Sequence, residues 1–187
     1  MLYRPLICAP FAGALIAHQY DAGMDEDRRA RMQARITAEA ALPYCAPDEL
    51  DMALTWQMGE DGSLRGDVTV RNRGTRTCRV GGKPIVTPLA RDGSPLRAQT
   101  IVTLESRMPS WVVLSPGARA LASVGWSGWC GAPASGRARI EWERGDTTVT
   151  ADGPRQPRCP DGGQPVNLWS SWFRALDETG ADAGVMQ

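Results

Sequence analysis

The chain has 187 residues, equal numbers of acidic and basic side chains and a formal net charge of zero. This length fits one domain of ordinary size with extensions at its ends. The zero net charge argues against a protein that binds nucleic acid through electrostatic attraction, so nucleic acid is not an expected partner.

Residues 1–17 have a basic start, an apolar run and a small residue at Ala17, a pattern that resembles a secretory leader. The run contains two prolines and is well short of the ~20 residues that span a bilayer. Cys8 follows two bulky residues, which makes it a poor site for lipid attachment. We therefore expect export with removal of residues 1–17. The alternative is a start codon assigned too far upstream.

Removal of the leader would take Cys8 away and leave an even set of cysteines: Cys45, Cys78, Cys130 and Cys159. An even set is typical of an oxidising compartment, where cysteines form disulfides. Four cysteines allow three pairings, and reduced buried thiols are a further alternative. We favour Cys45 with Cys78, which ties the first strand to the corner after the second, and Cys130 with Cys159, which ties a strand end to the tail. The domain has no histidine and no C-x-x-C, so we predict neither a metal site nor a cofactor.

Residues 18–43 are expected to form a helical spacer. Acidic residues lie near the start of the predicted helix, Asp21 to Ala41, where they interact favourably with the helix dipole. Its apolar positions are too sparse for a strong core-facing stripe. Pro43 ends the pattern. The interpretation is a solvated spacer or a tether that holds the domain away from a surface.

Residues 44–160 are expected to form an all-β, Ig-like antiparallel β-sandwich. From Leu50 to Met58 apolar and polar residues alternate strictly, which predicts a strand with one buried face. Short strands separated by polar turns, without long helices between them, are typical of a sandwich. The further predicted strands are 64–71, 78–80, 84–90 (an edge strand, because it contains Pro88), 96–104, 111–114, 118–126, 137–143 and 147–151.

An ordered set of residues gives a family resemblance: Cys45, Asn72, Cys78-x-Val80-x-Gly82-x-Pro84-x-Val86, Asp92-Gly93, Leu114-x-Pro116-Gly117, Trp126 and Cys130. Over roughly residues 45–150 the chain resembles an actinobacterial family of secreted domains known as domain of unknown function 4232. The resemblance implies an exported, often lipid-anchored, Ig-like sandwich. It implies no activity, and this chain departs from anchored members because it lacks a clean lipid-attachment site.

The sequence offers little for catalysis. The single histidine is His18, outside the predicted domain, so a Ser-His or Cys-His nucleophile has no base there. Glu141 and Glu143 would lie on one strand face about 6–7 Å apart, a spacing compatible with glycoside hydrolysis. Their alternation with Ile140 and Trp142 favours a solvated strand face instead. We therefore predict that the protein is not an enzyme, with a small extracellular hydrolase as the alternative.

Tryptophans are the candidate binding residues. Trp126 and Trp129 lie beside Cys130 and either pack on a disulfide, as in other sandwiches, or form an aromatic platform for a sugar or a partner segment. Three others, Trp56, Trp111 and Trp142, occupy strand positions that predict a core location.

Residues 161–187 are expected to form an aromatic helix and a tail. Trp169, Trp172, Phe173 and Leu176 follow helical spacing, which predicts a short helix from about Asn167 to Glu178. This helix either folds back over the sandwich or exposes an aromatic face to a partner or a membrane interface.

The sequence therefore predicts an exported, disulfide-stapled binding or structural module of the cell envelope or extracellular space. Its expected partner is an unidentified protein or a cell-wall polymer, with peripheral membrane contact through the aromatic segment as a further route. An accessory subunit of an envelope assembly is an alternative, and it requires that the tail helix be exposed in the monomer.

Overall fold

The structure is a computed structural model, and it describes residues 13–101, 109–160 and 167–176. Contacts divide the chain into two units, Met1–Ala41 and Leu42–Gln187, which are described separately.

The first unit contains one helix, α1, from Gly13 to Ala40. It begins before the predicted start at Asp21, and the predicted cleavage point after Ala17 lies inside it. The remainder of the predicted leader, including Cys8, lies outside the described residues. Ion pairs between residues four apart, such as Arg35 with Glu39 at 2.8 Å, stabilise the helix at its exposed surface. The described part of the chain contains no helix that combines the length and apolar character needed to cross a membrane.

The second unit is an all-β sandwich, as predicted. A short 3-10 helix, Pro47–Glu49, precedes the first strand. The strands in the described residues are β1 (Leu50–Met58), β2 (Leu64–Asn72), β3 (Cys78–Gly81), β4 (Ile85–Ala90), β5 (Gln99–Thr100), β6 (Trp111–Leu114), β7 (Arg119–Ser127), β8 (Ala134–Trp142), β9 (Gly145–Thr150), β10 (Asn167–Ser170) and β11 (Arg174–Leu176).

The largest sheet has the strand order β1-β2-β7-β10-β5, with β11 also paired to β7. A second sheet has the order β4-β8-β9, and β3 pairs with β6. All strand pairs are antiparallel except β5 with β10. The inward faces of these sheets share one hydrophobic core, in which Leu54, Val68 and Ile140 are almost completely buried. Alternation in β1 and β2 places every second side chain in that core.

The corner after β2 is organised by Asn72, a completely buried polar residue. Its side-chain amide donates to the carbonyls of Arg76 at 2.8 Å and Leu114 at 2.9 Å, and its Oδ1 accepts the Gly74 N–H at 2.8 Å. Its main chain bonds to Gly117 and Ala118. The polar atoms of Asn72 are thus hydrogen-bonded, which a buried amide requires. One side chain therefore holds the turn after β2 against the turn between β6 and β7.

The strands β4 and β5 correspond to the predicted strands 84–90 and 96–104. β4 is an edge of its sheet, as Pro88 predicted, and its register shifts between Pro88 and Ala90. The predicted strand 96–104 is reduced to β5, and its residues 102–104 lie outside the described residues.

The predicted C-terminal helix is wrong. Residues from Asn167 form β10 and β11, and both strands pair with β7. Between them three residues, 171–173, face two residues of β7, which is a β-bulge. The bulge shifts the side-chain phase, so Leu168 and Phe173, five residues apart, both reach the core. The tail therefore completes the large sheet, and the exposed tail helix required by the accessory-subunit alternative is absent from the described residues.

Candidate functional site

Both favoured disulfide pairings are present. Cys45–Cys78 is buried, with the two cysteines only 2% and 1% exposed, and it lies where Cys45 N–H donates to the carbonyl of Arg79. Cys130–Cys159 lies at the surface, with both residues exposed. Disulfides of this kind form and persist outside the reducing cytoplasm, so the domain is a non-cytoplasmic one.

The predicted aromatic binding residues do not form one surface. Trp126 is 1% exposed and Phe173 is 2% exposed, so both belong to the core, and this part of the prediction is corrected. Trp129 packs against Trp126 with ring centroids 5.9 Å apart and donates Nε1–H to the carbonyl of Ala132. Trp172 lies near the ammonium of Lys83, at 5.4 Å. Trp126 and Phe173 are thus core residues, whereas Trp129 and Trp172 are half-buried.

Of the tryptophans predicted to be core, Trp56 and Trp142 are buried, which confirms their placement. Trp111 is half-buried and lies against the guanidinium of Arg79, with Cζ 5.0 Å from the ring centroid.

Trp169 differs from the other predicted aromatic residues because it lies on the outer face of the large sheet. Its neighbour Leu168 points into the core, so strand alternation turns Trp169 outward, where it is half-buried. Trp169 is paired in register with Gly125 of β7. A Cβ atom at residue 125 would lie only 2.3 Å from the Trp169 Nε1, so the indole rests directly on the glycine backbone. Glycine at residue 125 thus allows the indole ring of Trp169 to pack directly on the sheet.

The register aligns a row of residues across four strands. Gln57 of β1 faces Arg65 of β2, Arg65 faces Gly125 of β7, and Gly125 faces Trp169 of β10. Because neighbouring strands are spaced by about 4.8 Å, Arg65 and Trp169 flank the glycine from strands roughly 10 Å apart. Because Gly125 has no side chain, it leaves a depression on the sheet surface between the guanidinium of Arg65 and the indole of Trp169.

A second, parallel row lies two residues along the strands. Thr55 faces Asp67, and Asp67 faces Ser123. The Ser123 hydroxyl donates to Asp67 Oδ1 at 3.0 Å, and the Ser123 N–H donates to the Ser171 hydroxyl at 2.9 Å. These bonds fix the carboxylate and hydroxyls in place.

Together the two rows line an open cleft of about 320 Å³, which we call the Trp169 cleft. Its lining residues are Thr55, Gln57, Arg65, Gly66, Asp67, Ser123, Val124 and Trp169. Among the lining residues that the structure describes, one side chain is cationic and one is anionic, so their formal charges cancel. The other groups of the cleft are hydroxyls, an amide and an aromatic face. Such a set can hydrogen-bond to both donors and acceptors of a polar, uncharged ligand.

A smaller depression of about 180 Å³ lies beside β4 and β10. It is lined by Val86, Thr87, Pro88, Pro95, Leu96, Arg97, Ala98, Thr100 and Leu168. Of these described residues, Arg97 is the single charged one, and none is aromatic.

The two glutamates of the hydrolase alternative are engaged separately. Glu141 in β8 pairs with Arg139 at 3.3 Å. Glu143 lies beyond the end of β8, in the turn to β9, and accepts a hydrogen bond of 2.7 Å from the Tyr44 hydroxyl. That bond, together with partial desolvation, raises the pKa of Tyr44 above 10.0.

Fold and cleft define a disulfide-stapled, non-cytoplasmic β-sandwich with a polar-aromatic cleft on its larger sheet. Within that class the chain belongs to the family described as Domain of unknown function (DUF4232), whose model matches residues 45–167, about two thirds of the chain. The family resemblance seen in the sequence is thereby confirmed. Comparison with curated proteins found no match. Trp169 lies just beyond the matched region.

The sequence signalled Trp169 but not its partners. Gly125, Arg65 and Asp67 come from strands whose neighbours in space are far away in the chain. The only local signal was that Gly125 and Gly66 lie inside predicted strands, where a glycine often marks a close approach of another group.

Proposed function

We propose that this protein is an exported binding module of the cell envelope or extracellular space, and that it holds an uncharged polysaccharide in the Trp169 cleft. The observation that carries the proposal is the seating of Trp169 on Gly125, opposite Arg65 and next to Asp67. The two disulfides support an extracytoplasmic location.

The chemistry of the cleft matches a sugar ring. A pyranose has an apolar C–H face and an edge of hydroxyls, each of which both donates and accepts hydrogen bonds. The indole of Trp169 offers a large flat apolar surface on which the C–H face of the sugar can pack, and the sheet holds this indole rigidly. Arginine and carboxylate side chains can each bind two neighbouring hydroxyls, and Gln57 and Thr55 extend this polar edge.

The balanced charge of the cleft argues for a neutral polymer rather than an acidic one. Asp67 is half-buried in the cleft and would repel an anionic substituent, while Arg65 would repel a cationic one. An uncharged ligand avoids both costs and still uses both side chains as hydrogen-bond partners.

A binding assay with a panel of soluble neutral polysaccharides, built from glucose, mannose, galactose or arabinose, tests the proposal. We expect at least one to retard the full-length protein in affinity electrophoresis and to change its tryptophan fluorescence. Trp169→Ala should weaken that binding by roughly tenfold or more, because a buried aromatic contact dominates such interfaces. Trp129→Ala is the matched control, since Trp129 is also half-buried but lies outside the cleft.

Circular dichroism and thermal unfolding of both variants establish that they are folded. The proposal is refuted if no neutral polymer binds, or if folded Trp169→Ala binds as tightly as the wild type.

A further inference from the structure

A second cluster, separate from the Trp169 cleft, surrounds Tyr44 next to the buried disulfide. The guanidinium carbon of Arg79 lies 4.2 Å from the centroid of the Tyr44 ring and 5.0 Å from that of Trp111. The guanidinium carbon of Arg144 lies 4.8 Å from the same Tyr44 centroid. We call Tyr44, Arg79, Trp111 and Arg144 the arginine–aromatic cluster.

The fold places these residues together. Tyr44 and Arg79 form an isolated β-bridge. Tyr44 directly precedes Cys45, and Arg79 directly follows Cys78, so the Cys45–Cys78 disulfide holds the two residues together. Trp111 is in β6, paired with β3, where it faces Gly81. Arg144 lies in the turn between β8 and β9. The cluster therefore combines one rigid arginine, locked beside a disulfide, with one exposed arginine on a turn.

Two positive charges share this site. The two distances to the Tyr44 centroid sum to 9.0 Å, so at most about 9 Å separates the guanidinium carbons. Among the residues that the structure describes, neither arginine forms an ion pair. The carboxylate of Glu143 accepts a hydrogen bond from the Tyr44 hydroxyl. One acid and two guanidiniums leave an excess of positive charge.

Arg79 also has a hydrogen-bond donor that no described group accepts. Its Nε is buried and has no partner within the described part of the chain. A partly buried guanidinium without a counter-ion is unfavourable, and contact with aromatic faces offsets only part of that cost. Because Nε itself is shielded from solvent, an incoming acceptor would reach the terminal Nη groups of the guanidinium.

We propose that the arginine–aromatic cluster is a binding site for an oxyanion, a phosphate or carboxylate group, held between Arg79 and Arg144. The planar fork of arginine matches the oxygen atoms of both groups and can bind them through two parallel hydrogen bonds. The site is independent of the polysaccharide cleft: it lies on β3, β6 and the β8–β9 turn, and shares no residue with that cleft.

The test uses the arginine side-chain ¹H–¹⁵N resonances of the full-length protein, titrated with inorganic phosphate and, separately, with glutarate. Both probes carry oxyanions, and the comparison distinguishes a phosphate ligand from a carboxylate ligand. We expect saturable shifts at the Arg79 Nε–H for at least one probe. Arg144→Gln should weaken that binding roughly tenfold, as the loss of a charge-assisted hydrogen bond predicts.

Arg137→Gln is the matched control, because Arg137 is an exposed arginine of β8 outside the cluster. It makes the same change in net charge and should leave the titration unchanged. Arg79→Lys keeps the charge but removes the planar fork, and it should abolish the saturable shifts, which in this variant are followed at the Arg144 Nε–H. If Arg79→Lys fails to fold, the turn variant Arg144→Gln still decides the question.

The proposal is overturned by non-saturable shifts with both probes, or by equal weakening in Arg144→Gln and Arg137→Gln, since either result reports general electrostatic attraction. It is equally overturned if binding is lost in Trp169→Ala while Arg144→Gln binds normally, because the anion would then occupy the other cleft.

Discussion

The side-chain amide of Asn72 donates a 2.9 Å hydrogen bond to the main-chain carbonyl of Leu114, 42 residues further along the chain. This bond crosses from the end of β2 to the end of β6 and is completely buried. With the bonds to Arg76 and Gly74, it links one turn to another through a single side chain. Asn72 is therefore a structural residue of the sandwich.

Replacement of Asn72 by alanine should lower the free energy of unfolding by about 2–4 kcal/mol, because it leaves buried main-chain groups without partners. Urea unfolding followed by tryptophan fluorescence measures the loss. Asp92→Ala is a useful comparison, since Asp92 makes similar side-chain bonds to Ser94 in an exposed turn. We expect that variant to lose much less stability than Asn72→Ala, because its bonds are exposed to water. Equal losses in the two variants would contradict the role given to Asn72.

The two disulfides should differ in their susceptibility to reduction under native conditions. Cys130–Cys159 is exposed, whereas Cys45–Cys78 is buried in the core. Because a thiolate must reach the sulfur atoms, mild reductant should open the exposed bridge first. Alkylation followed by intact-mass and peptide analysis would identify the opened bridge. If Cys45 and Cys78 were alkylated before Cys130 and Cys159, the prediction would be wrong, because the buried disulfide would then be the more accessible to reductant.

Gly125→Ala should destabilise the sandwich by about 1–3 kcal/mol and weaken polysaccharide binding, because the added methyl group meets the indole of Trp169. In a Gly125→Ala, Trp169→Ala double variant the clash is gone, so the combined loss of stability should be smaller than the sum of the single losses. Thermal unfolding of the four proteins gives this coupling. Strictly additive losses would mean that the two residues do not press on each other.

Stability near Tyr44 should depend on pH. Its hydrogen bond to Glu143 raises the pKa of Tyr44 in the folded state above 10.0. Below pH 10 the hydroxyl is protonated in both states and its contribution is fully present. As pH rises past 10 the unfolded state ionises first, so that contribution is lost as pH passes through the folded-state pKa. The stability difference between the wild type and Tyr44→Phe should therefore be constant well below pH 10 and shrink as pH rises from about 10 through the folded-state pKa.

Direct titration can check the same residue. The chain has three tyrosines, so a background with Tyr3→Phe and Tyr20→Phe leaves Tyr44 as the only tyrosinate absorber. Glu143→Gln removes the charge that disfavours ionisation, and it should return the pKa of Tyr44 toward 10.0. A titration unchanged by that substitution would show that Glu143 does not control Tyr44.

Local patterns in the sequence determined most of the sandwich. Alternation defined β1, β2 and β8 because a strand buries every second side chain whatever it later pairs with. The cysteines predicted both disulfides, since each favoured pair joined a strand terminus to a neighbouring turn or tail. The ordered residues from Cys45 to Cys130 were sufficient to identify the family.

The C-terminal segment was decided by tertiary structure. Trp169, Trp172, Phe173 and Leu176 have helical spacing, yet the free strand edge of β7 supplies main-chain partners and a bulge corrects the side-chain phase. The periodicity of a sequence cannot reveal a bulge, because the extra residue is defined only by its pairing with the facing strand. For Trp126, beside a cysteine and a second tryptophan, the sequence left two interpretations open: packing on a disulfide or an aromatic platform. Its burial depends on β2 and β10 lying on either side of it.

Both proposed sites have the same origin. Local sequence supplied their aromatic residues, but strand register alone brought Arg65 opposite Gly125, and the packing of two sheets brought Arg144 to Tyr44. Sequence by itself thus determined which residues face inward, which cysteines are available and which family the chain resembles, because those properties depend on near neighbours in the chain. Tertiary structure alone decided which outward-facing side chains meet, because these meetings depend on strand order and register between segments tens of residues apart.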